Sequence, residues 1–404
     1  MIGVAGTIDA YHVTPLPRQW RWRLGVAPVM AAPASVDPGT ITIKIEIAGR
    51  RIRRVDIDST RPHNIARIFV GRSVDEVPAQ VERLYSLCGR SHGLAAARAA
   101  AAAFGRPISQ ARRASDTIGL AAERIAETLR GTVLGSLALH PAAIDPATAA
   151  PLREALSVAR TLIMHGLSNG KHSGEQSPGL VDRLAELLQR LGFPTSPDGA
   201  PERGTPVGRF LHEAESETAF HARSPDMLTE ADDLDVIAAL RTQGEAFAAV
   251  PALPGRVAET GAYARHWQRT AMAPTALAAR LCARLLDMAE CLDLLKRAVT
   301  RALPPEADPI RAEKIGPCEA FAALESPRGR LYHWLQVNEV RDVVRYAILA
   351  PTEWNFHVRG PLVEALRGAE VGTDAEARRR ISRLVAVFDP CVSFDVRLTE
   401  ANHA

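Results

Sequence analysis

Near the C-terminus the chain reads Phe388-Asp389-Pro390-Cys391-Val392-Ser393-Phe394-Asp395-Val396-Arg397. A cysteine directly follows an Asp-Pro step. Proline restricts the residue before it, so the helix expected upstream ends here and the chain turns inward. A second cysteine stretch lies far upstream, Arg83-Leu84-Tyr85-Ser86-Leu87-Cys88-Gly89-Arg90-Ser91-His92, and runs into an Ala-rich segment at 95–103. Between the two stand Glu325-Ser326-Pro327-Arg328-Gly329 with His333-Trp334, and Ala350-Pro351-Thr352-Glu353-Trp354-Asn355.

Outward from these segments the pattern is mostly helical. Candidate helices lie near 78–104, 109–138, 146–166, 179–191, 230–249 and 273–302, dominated by Ala, Leu, Arg and Glu, all good helix formers. Polar, Gly- and Pro-rich breaks fall at His165–Pro178 and Phe193–Pro206. Residues 40–47 (TITIKIEI) alternate apolar and polar. After Ala48-Gly49-Arg50, residues Ile52, Val55 and Ile57 mark a second strand, so 39–58 reads as a β-hairpin. After Pro317 the texture changes. Leu331–Val337 and Asp342–Leu349 read as a second pair of strands, followed by helices near 361–368 and 374–386. The expected fold is α-rich α+β, a long helical bundle with small β elements near both ends of the sequence. One domain is expected over 1–404. It comprises an irregular segment at 1–38, the hairpin at 39–58, the bundle at 78–303 and an α+β part at 318–404.

The composition excludes several classes. With 47% hydrophobic and 24% charged residues over 404 positions, the chain can bury a large core without disulfides. A net charge of +3 argues against nucleic acid or a membrane surface as partner. No apolar run is long enough for a transmembrane helix, and the N-terminus lacks the basic flank and apolar run of a secretory signal. Five scattered cysteines fit a reducing cytoplasm better than a disulfide scaffold. No Ser-His-Asp arrangement, Gly-rich phosphate loop or HExxH is present to suggest another enzyme class.

The cysteine segments together resemble the paired motifs of nickel–iron hydrogenase large subunits, RxCGxCxxxH near the start and DPCxxCxx(H/R) at the end. The middle segments resemble that family's EAPRG…HW turn and its VPTTWN. The hairpin GTITIKIEIAG at 39–49 resembles its GHLRIEVEVDG. The order of all four is that of the family, and the resemblance implies the large-subunit fold.

The departures set the function that the resemblance implies. In the family four thiolates hold nickel and iron, and soft sulfur suits such electron-rich centres. Here Tyr85 stands at the first thiolate position and Phe394 at the last, leaving Cys88 and Cys391 as candidate iron ligands. Pro38 stands where the family carries a glutamate thought to pass protons. What matches is the pocket for the iron's diatomic ligands: Pro327 and Arg328 of the PRG turn, Pro351 and Thr352, with His92 near a sulfur and Asp389 placed to orient Arg328. A guanidinium is permanently charged and offers several donors to a bound cyanide. The resemblance therefore points to the catalytically degenerate accessory branch, the hydrogenase expression/formation proteins of the HupK or HoxV type. It implies a non-catalytic scaffold that holds an Fe(CN)2CO fragment transiently, without nickel, before transfer to the large subunit. Its partners would be HypC/HupF-type chaperones and the large-subunit precursor. The alternative is a metal-free interaction protein, or chaperone decoy, that keeps the fold.

The remaining candidates have plainer readings. Cys282 and Cys291 are core residues of one helix, Cys318 is structural, and His333-Trp334 packs a strand under the turn. His165 and His172 are expected to be solvated loop residues, and Arg378-Arg379-Arg380 an exposed helical face. Arg397 stands where family precursors are cut. The short polar tail Leu398–Ala404 is expected at the surface and uncut.

Overall fold

A computed structural model describes residues 37–136, 146–167 and 177–400. Nearly all of the irregular segment expected at 1–38 lies outside the described residues, as do His172 and 401–404. The hairpin forms as expected from β1 (Thr40–Ala48) and β2 (Arg51–Ser59). Ile41, Ile43, Ile45 and Ile47 are all buried, as the alternation requires. Gly49 at φ +56° and Arg50 at φ +67° supply the left-handed backbone that a two-residue hairpin turn needs.

The single helix expected at 78–104 is two, α1 (Val77–Leu84) and α2 (Gly89–Ala103). The two helices approach closely across the break at Tyr85–Cys88, where a Cβ on Gly89 would run into the Glu82 carbonyl oxygen. α3 (Gln110–Leu129), capped by the Ser109 hydroxyl, passes into a π-helical stretch at Arg130–Ser136. α4 (Pro146–Leu167) and α5 (Ser177–Leu191) follow. His165 is not a solvated loop residue but sits in the last turn of α4, its Nδ1 3.1 Å from the Ser177 hydroxyl. Helix α6 (Pro206–Glu215) was not expected. The helix expected at 230–249 resolves into α7 (Asp233–Gln243) and α8 (Glu245–Ala249), parted at Gly244 with φ +57°. α9 (Ala262–Thr270) is also unforeseen, and α10 (Ala276–Val299) carries Cys291 in the core and Cys282 half-buried.

The change of texture begins before Pro317, at β3 (Ile310–Gly316), followed by β4 (Glu319–Ser326), β5 (Gly329–Val337) and β6 (Val343–Leu349). These make a four-stranded antiparallel meander in the order β3-β4-β5-β6, of which the expected strand pair is only half. The Ala-rich face of α2 (Ala95, Ala96, Ala99, Ala100) is buried against this sheet, where small side chains permit close approach. Then come α11 (Pro351–Asn355), α12 (Pro361–Leu366), α13 (Asp374–Phe388) and β7 (Ser393–Glu400). In α13, Arg379 is exposed, but Arg378 and Arg380 are half-buried: Arg378 donates to the Val396 carbonyl, and Arg380 pairs with Glu376 and Glu217.

β7 pairs in parallel with β1, Ile41 opposite Phe394 and Ile43 opposite Val396, so the first sheet runs β2-β1-β7. The β elements expected at the two ends of the sequence thus share one sheet. This pairing ties the segment after Cys391 to the hairpin. It also places Arg397 and Leu398–Glu400 in a strand rather than in a loose tail.

Candidate functional site

Cys88 is the residue before α2, and that helix start is held by a buried carboxylate. Glu123 of α3 accepts from the backbone N–H groups of Arg90 and Ser91, both at 2.8 Å, and from the Ser91 hydroxyl. A carboxylate satisfies donors that a helix start leaves unpaired. Burial nevertheless pushes Glu123 up to about 7.

Cys391 enters from the other end of the chain. Asp389 takes a left-handed conformation (φ +55°) that closes α13, its N–H bonding the Ala386 carbonyl at 3.2 Å. The chain then swings Cys391 toward α11, where the Thr352 hydroxyl donates to its sulfur at 3.4 Å. Pro351 opens that short helix. The two thiols lie within electrostatic reach of each other: burial pushes the Cys88 thiol well up, the Arg328 guanidinium opposes this, and Glu123 and Cys391 add to it.

Arg328 is delivered by the β4–β5 turn. Gly329, at φ +133°, leaves no room for a side chain against Thr260 and Gly261, and the Ser326 hydroxyl bonds the Gly329 carbonyl at 2.7 Å. Asn355 of α11 clamps the neighbouring segment at Thr260, accepting from Thr260 N–H at 3.0 Å and donating to the Thr260 carbonyl at 3.1 Å. Arg328 is 8% exposed. One nitrogen donates to Glu127 at 3.3 Å, and Asp389 lies 3.7 Å from Nε. Nε and Nη1 are buried and donate no hydrogen bond. A cavity of about 30 Å³, the size of one water, opens beside Pro327, Arg328 and Asp389.

The aromatic substitutions have found structural uses. Tyr85 stacks on His92, ring centroids 3.6 Å apart and planes 6° from parallel. His92 Nδ1 lies 3.0 Å from His333 Nε2, and His333 Nδ1 lies 2.6 Å from the Tyr346 hydroxyl. Burial lowers both imidazoles, His333 to about 3, so neither carries charge near neutrality. Phe394, in β7, packs half-buried against the main core. Trp334 is fully buried and donates to Glu319 at 2.9 Å, so His333-Trp334 packs as expected, with His333 also bonded to His92.

With that geometry in view, likeness to known proteins is informative. The nickel-dependent hydrogenase family profile matches residues 255–396. The hydrogenase expression/formation protein HupK of Rhizobium leguminosarum bv. viciae is 37% identical over 369 residues, covering 91% of this chain and 98% of the relative. The chain belongs to this family. HoxV of Cupriavidus necator, likewise named a hydrogenase expression/formation protein, is 29% identical, covering 85% of this chain and 93% of the relative. The fold is that of the hydrogenases: a [NiFeSe] hydrogenase structure from Desulfovibrio vulgaris Hildenborough aligns with a TM-score of 0.60 at 14% identity, over 88% of this chain and 99% of the other.

Two residues at the site escaped the sequence reading. Arg61, just after β2, forms an ion pair with Glu353 of α11 at 2.7 Å, and His63 Nδ1 lies 3.8 Å from the same carboxylate oxygen. The Arg61 side chain is 10% exposed; burial lowers its pKa, but the charges of Cys391, Glu353, Tyr85 and Cys88 outweigh that and raise it. Like Arg328, it lies within electrostatic reach of both cysteines. Burial pushes Glu353 up to about 7, against the pull of Arg61. Arg61 belongs to no motif. Glu353 carried a usable signal: an acid inside an otherwise apolar turn implies a buried cation nearby.

Proposed function

We propose that this chain is a non-catalytic hydrogenase maturation factor that holds an Fe(CN)2CO fragment as cargo between Cys88 and Cys391 and passes it to the large subunit. The observation that carries the reading is Arg328. A buried guanidinium with two unsatisfied N–H groups beside two thiols is costly unless an acceptor arrives. The nitrogen end of an iron-bound cyanide is such an acceptor. Pro327 and Asp389 both line the small cavity beside that guanidinium, and Thr352 offers its hydroxyl at the Cys391 sulfur. His92, locked between Tyr85 and His333, keeps the Cys88 side rigid.

The donor set suits cargo better than a resident nickel centre. Among the described residues no group of three or more His, Cys, Asp and Glu side chains is placed to hold a bare metal ion. Two sulfurs suffice for an iron that brings its own cyanides and carbonyl. Burial keeps the Cys88 thiol protonated, so loading displaces a proton and release is assisted by its return. Tyr85 and Phe394 fill two of the four positions that a nickel would need. HypC/HupF-type chaperones and the large-subunit precursor are the partners this role requires. Among the described residues no helix is long and apolar enough to cross a membrane, and a cytoplasmic setting fits the role.

The test is elemental analysis of protein purified anaerobically from cells with a complete maturation system. We expect substantial iron, no stoichiometric nickel, and loss of the iron in Cys88→Ser and Cys391→Ser. Stoichiometric nickel with hydrogen-dependent dye reduction would overturn the proposal. Iron undiminished in both variants would remove the two-cysteine site.

A further inference from the structure

Near the N-terminal end of α13, the end away from Asp389, the surface opens into a cavity of about 430 Å³. This is within the usual size of small-ligand sites. Three segments form its walls: the hairpin turn at Arg50 and Arg51, the stretch from Thr218 to Arg223, and the α12–α13 connection from Ala365 to Glu376 with Arg380. The walls are fastened by backbone hydrogen bonds. Ile52 N–H donates to the Ala369 carbonyl at 2.9 Å, Val371 N–H to the Arg50 carbonyl at 3.0 Å, and Ala276 N–H to the Phe220 carbonyl at 2.8 Å.

The charge on these walls is lopsided. Arg51 pairs with Glu370 at 3.4 Å, and Arg380 pairs with Glu376 at 2.8 Å. Arg50, Arg223 and Arg367 also line the cavity, and among the described residues no carboxylate lies within ion-pair distance of any of them. Three uncompensated guanidinium groups around one concavity repel each other unless an anion enters. The fixed fork of a guanidinium matches phosphate or carboxylate oxygens two at a time. His221 is the one ring among the lining residues, and the apolar lining is confined to Ala219, Ala365 and Ala369. Nothing there would hold a hydrocarbon tail.

We propose that this cavity is a binding site for a compact small-molecule polyanion, bearing two or more phosphate or carboxylate groups, held by Arg50, Arg223 and Arg367. It is separate from the two-cysteine pocket, so ligand there leaves the iron site chemically untouched. Because the three arginines are exposed, binding is strongly salt-dependent.

The experiment is isothermal titration of the full chain at low ionic strength with inorganic pyrophosphate and, separately, with citrate. These represent the phosphate and carboxylate sources of the same chemistry. We expect saturable one-to-one binding of at least one, weakened tenfold or more in the combined variant Arg50→Gln/Arg223→Gln/Arg367→Gln. Arg203→Ala, an exposed arginine that does not line the cavity, should bind like the parent. Each single glutamine variant should lose part of the affinity, which keeps the test open if the combined variant folds poorly. Absence of saturable binding by both anions would overturn the proposal. So would affinity unchanged in the glutamine variants, or binding only of a hexaglutamate peptide.

Discussion

The two walls of the candidate pocket contrast sharply. The cation wall is heavily built: Arg328 is aimed by Gly329, Ser326 and the Asn355–Thr260 clamp, and Arg61 is held by its ion pair with Glu353. The sulfur wall has been half given over to packing, with Tyr85 stacked on His92 and Phe394 laid into the sheet beside Ile41. A fold drifting without function would leave its buried cations unsupported, because an unpaired buried charge costs several kcal/mol. Here the expensive half is intact and the metal-rich half is reduced. That asymmetry fits a pocket shaped for the anionic end of a ligand rather than for a two-metal centre.

Breaking the support of the cation wall should have the largest effect. Asp233 is fully buried and accepts from Arg330 at 2.6 and 2.5 Å, from the Tyr332 hydroxyl at 3.0 Å and from Arg311 at 3.2 Å. Asp233→Ala removes the bidentate partner of Arg330, just beyond the PRG turn, leaving it only Glu325 at 3.2 Å and Glu230 at 3.6 Å through one nitrogen. Denaturant unfolding should show a loss of about 3–5 kcal/mol.

The next effect is pH-dependent. Glu353 titrates near 7 in the folded protein against an ordinary 4.5. Between those values the folded state holds a proton that the unfolded chain has released, so stability falls as pH rises through that window. The share from this residue is at most about 3 kcal/mol. Stability curves of the parent and Glu353→Gln between pH 4.5 and 7 should diverge in slope by that share. Parallel curves would mean the Arg61 pair holds Glu353 ionised throughout.

On the sulfur wall, Tyr85→Cys removes the ring stacked on His92 and should cost about 2 kcal/mol in thermal or chemical unfolding. A neutral or stabilising result would mean that Tyr85 is not a packing element. The smallest effect is expected from Thr352→Val. Losing a hydroxyl–sulfur bond should change stability by less than about 1 kcal/mol, while the iron content should fall.

How much of this was readable in the sequence follows from the physics of each part. The hairpin was legible because one face of β1 is buried and the other is not, which writes the alternation directly. β4 was not, because Ala320–Leu324 is buried on both sides and so shows no period, and its alanines suggest helix. β7 has one partner, β1, at the other end of the chain, and no local pattern announces such a pairing. The close approach that requires a glycine at 89, where a Cβ would run into the Glu82 carbonyl oxygen, is invisible until the helices are packed. Cys88, Cys391, Arg328, Thr352 and Asp389 were found as motif members: Thr352 bonds the Cys391 sulfur, Asp389 lies 3.7 Å from Arg328, and Arg328 is within electrostatic reach of both cysteines. Arg61, coupled in charge to the same two cysteines, comes from a loop that carries no motif at all.

The most direct measurement is the infrared spectrum of anaerobically purified protein produced with its maturation machinery, recorded for the parent, Cys88→Ser and Cys391→Ser. The account predicts cyanide and carbonyl stretching bands in the parent that are lost in both variants. A parent spectrum without such bands, or bands of equal strength in both cysteine variants, would contradict it.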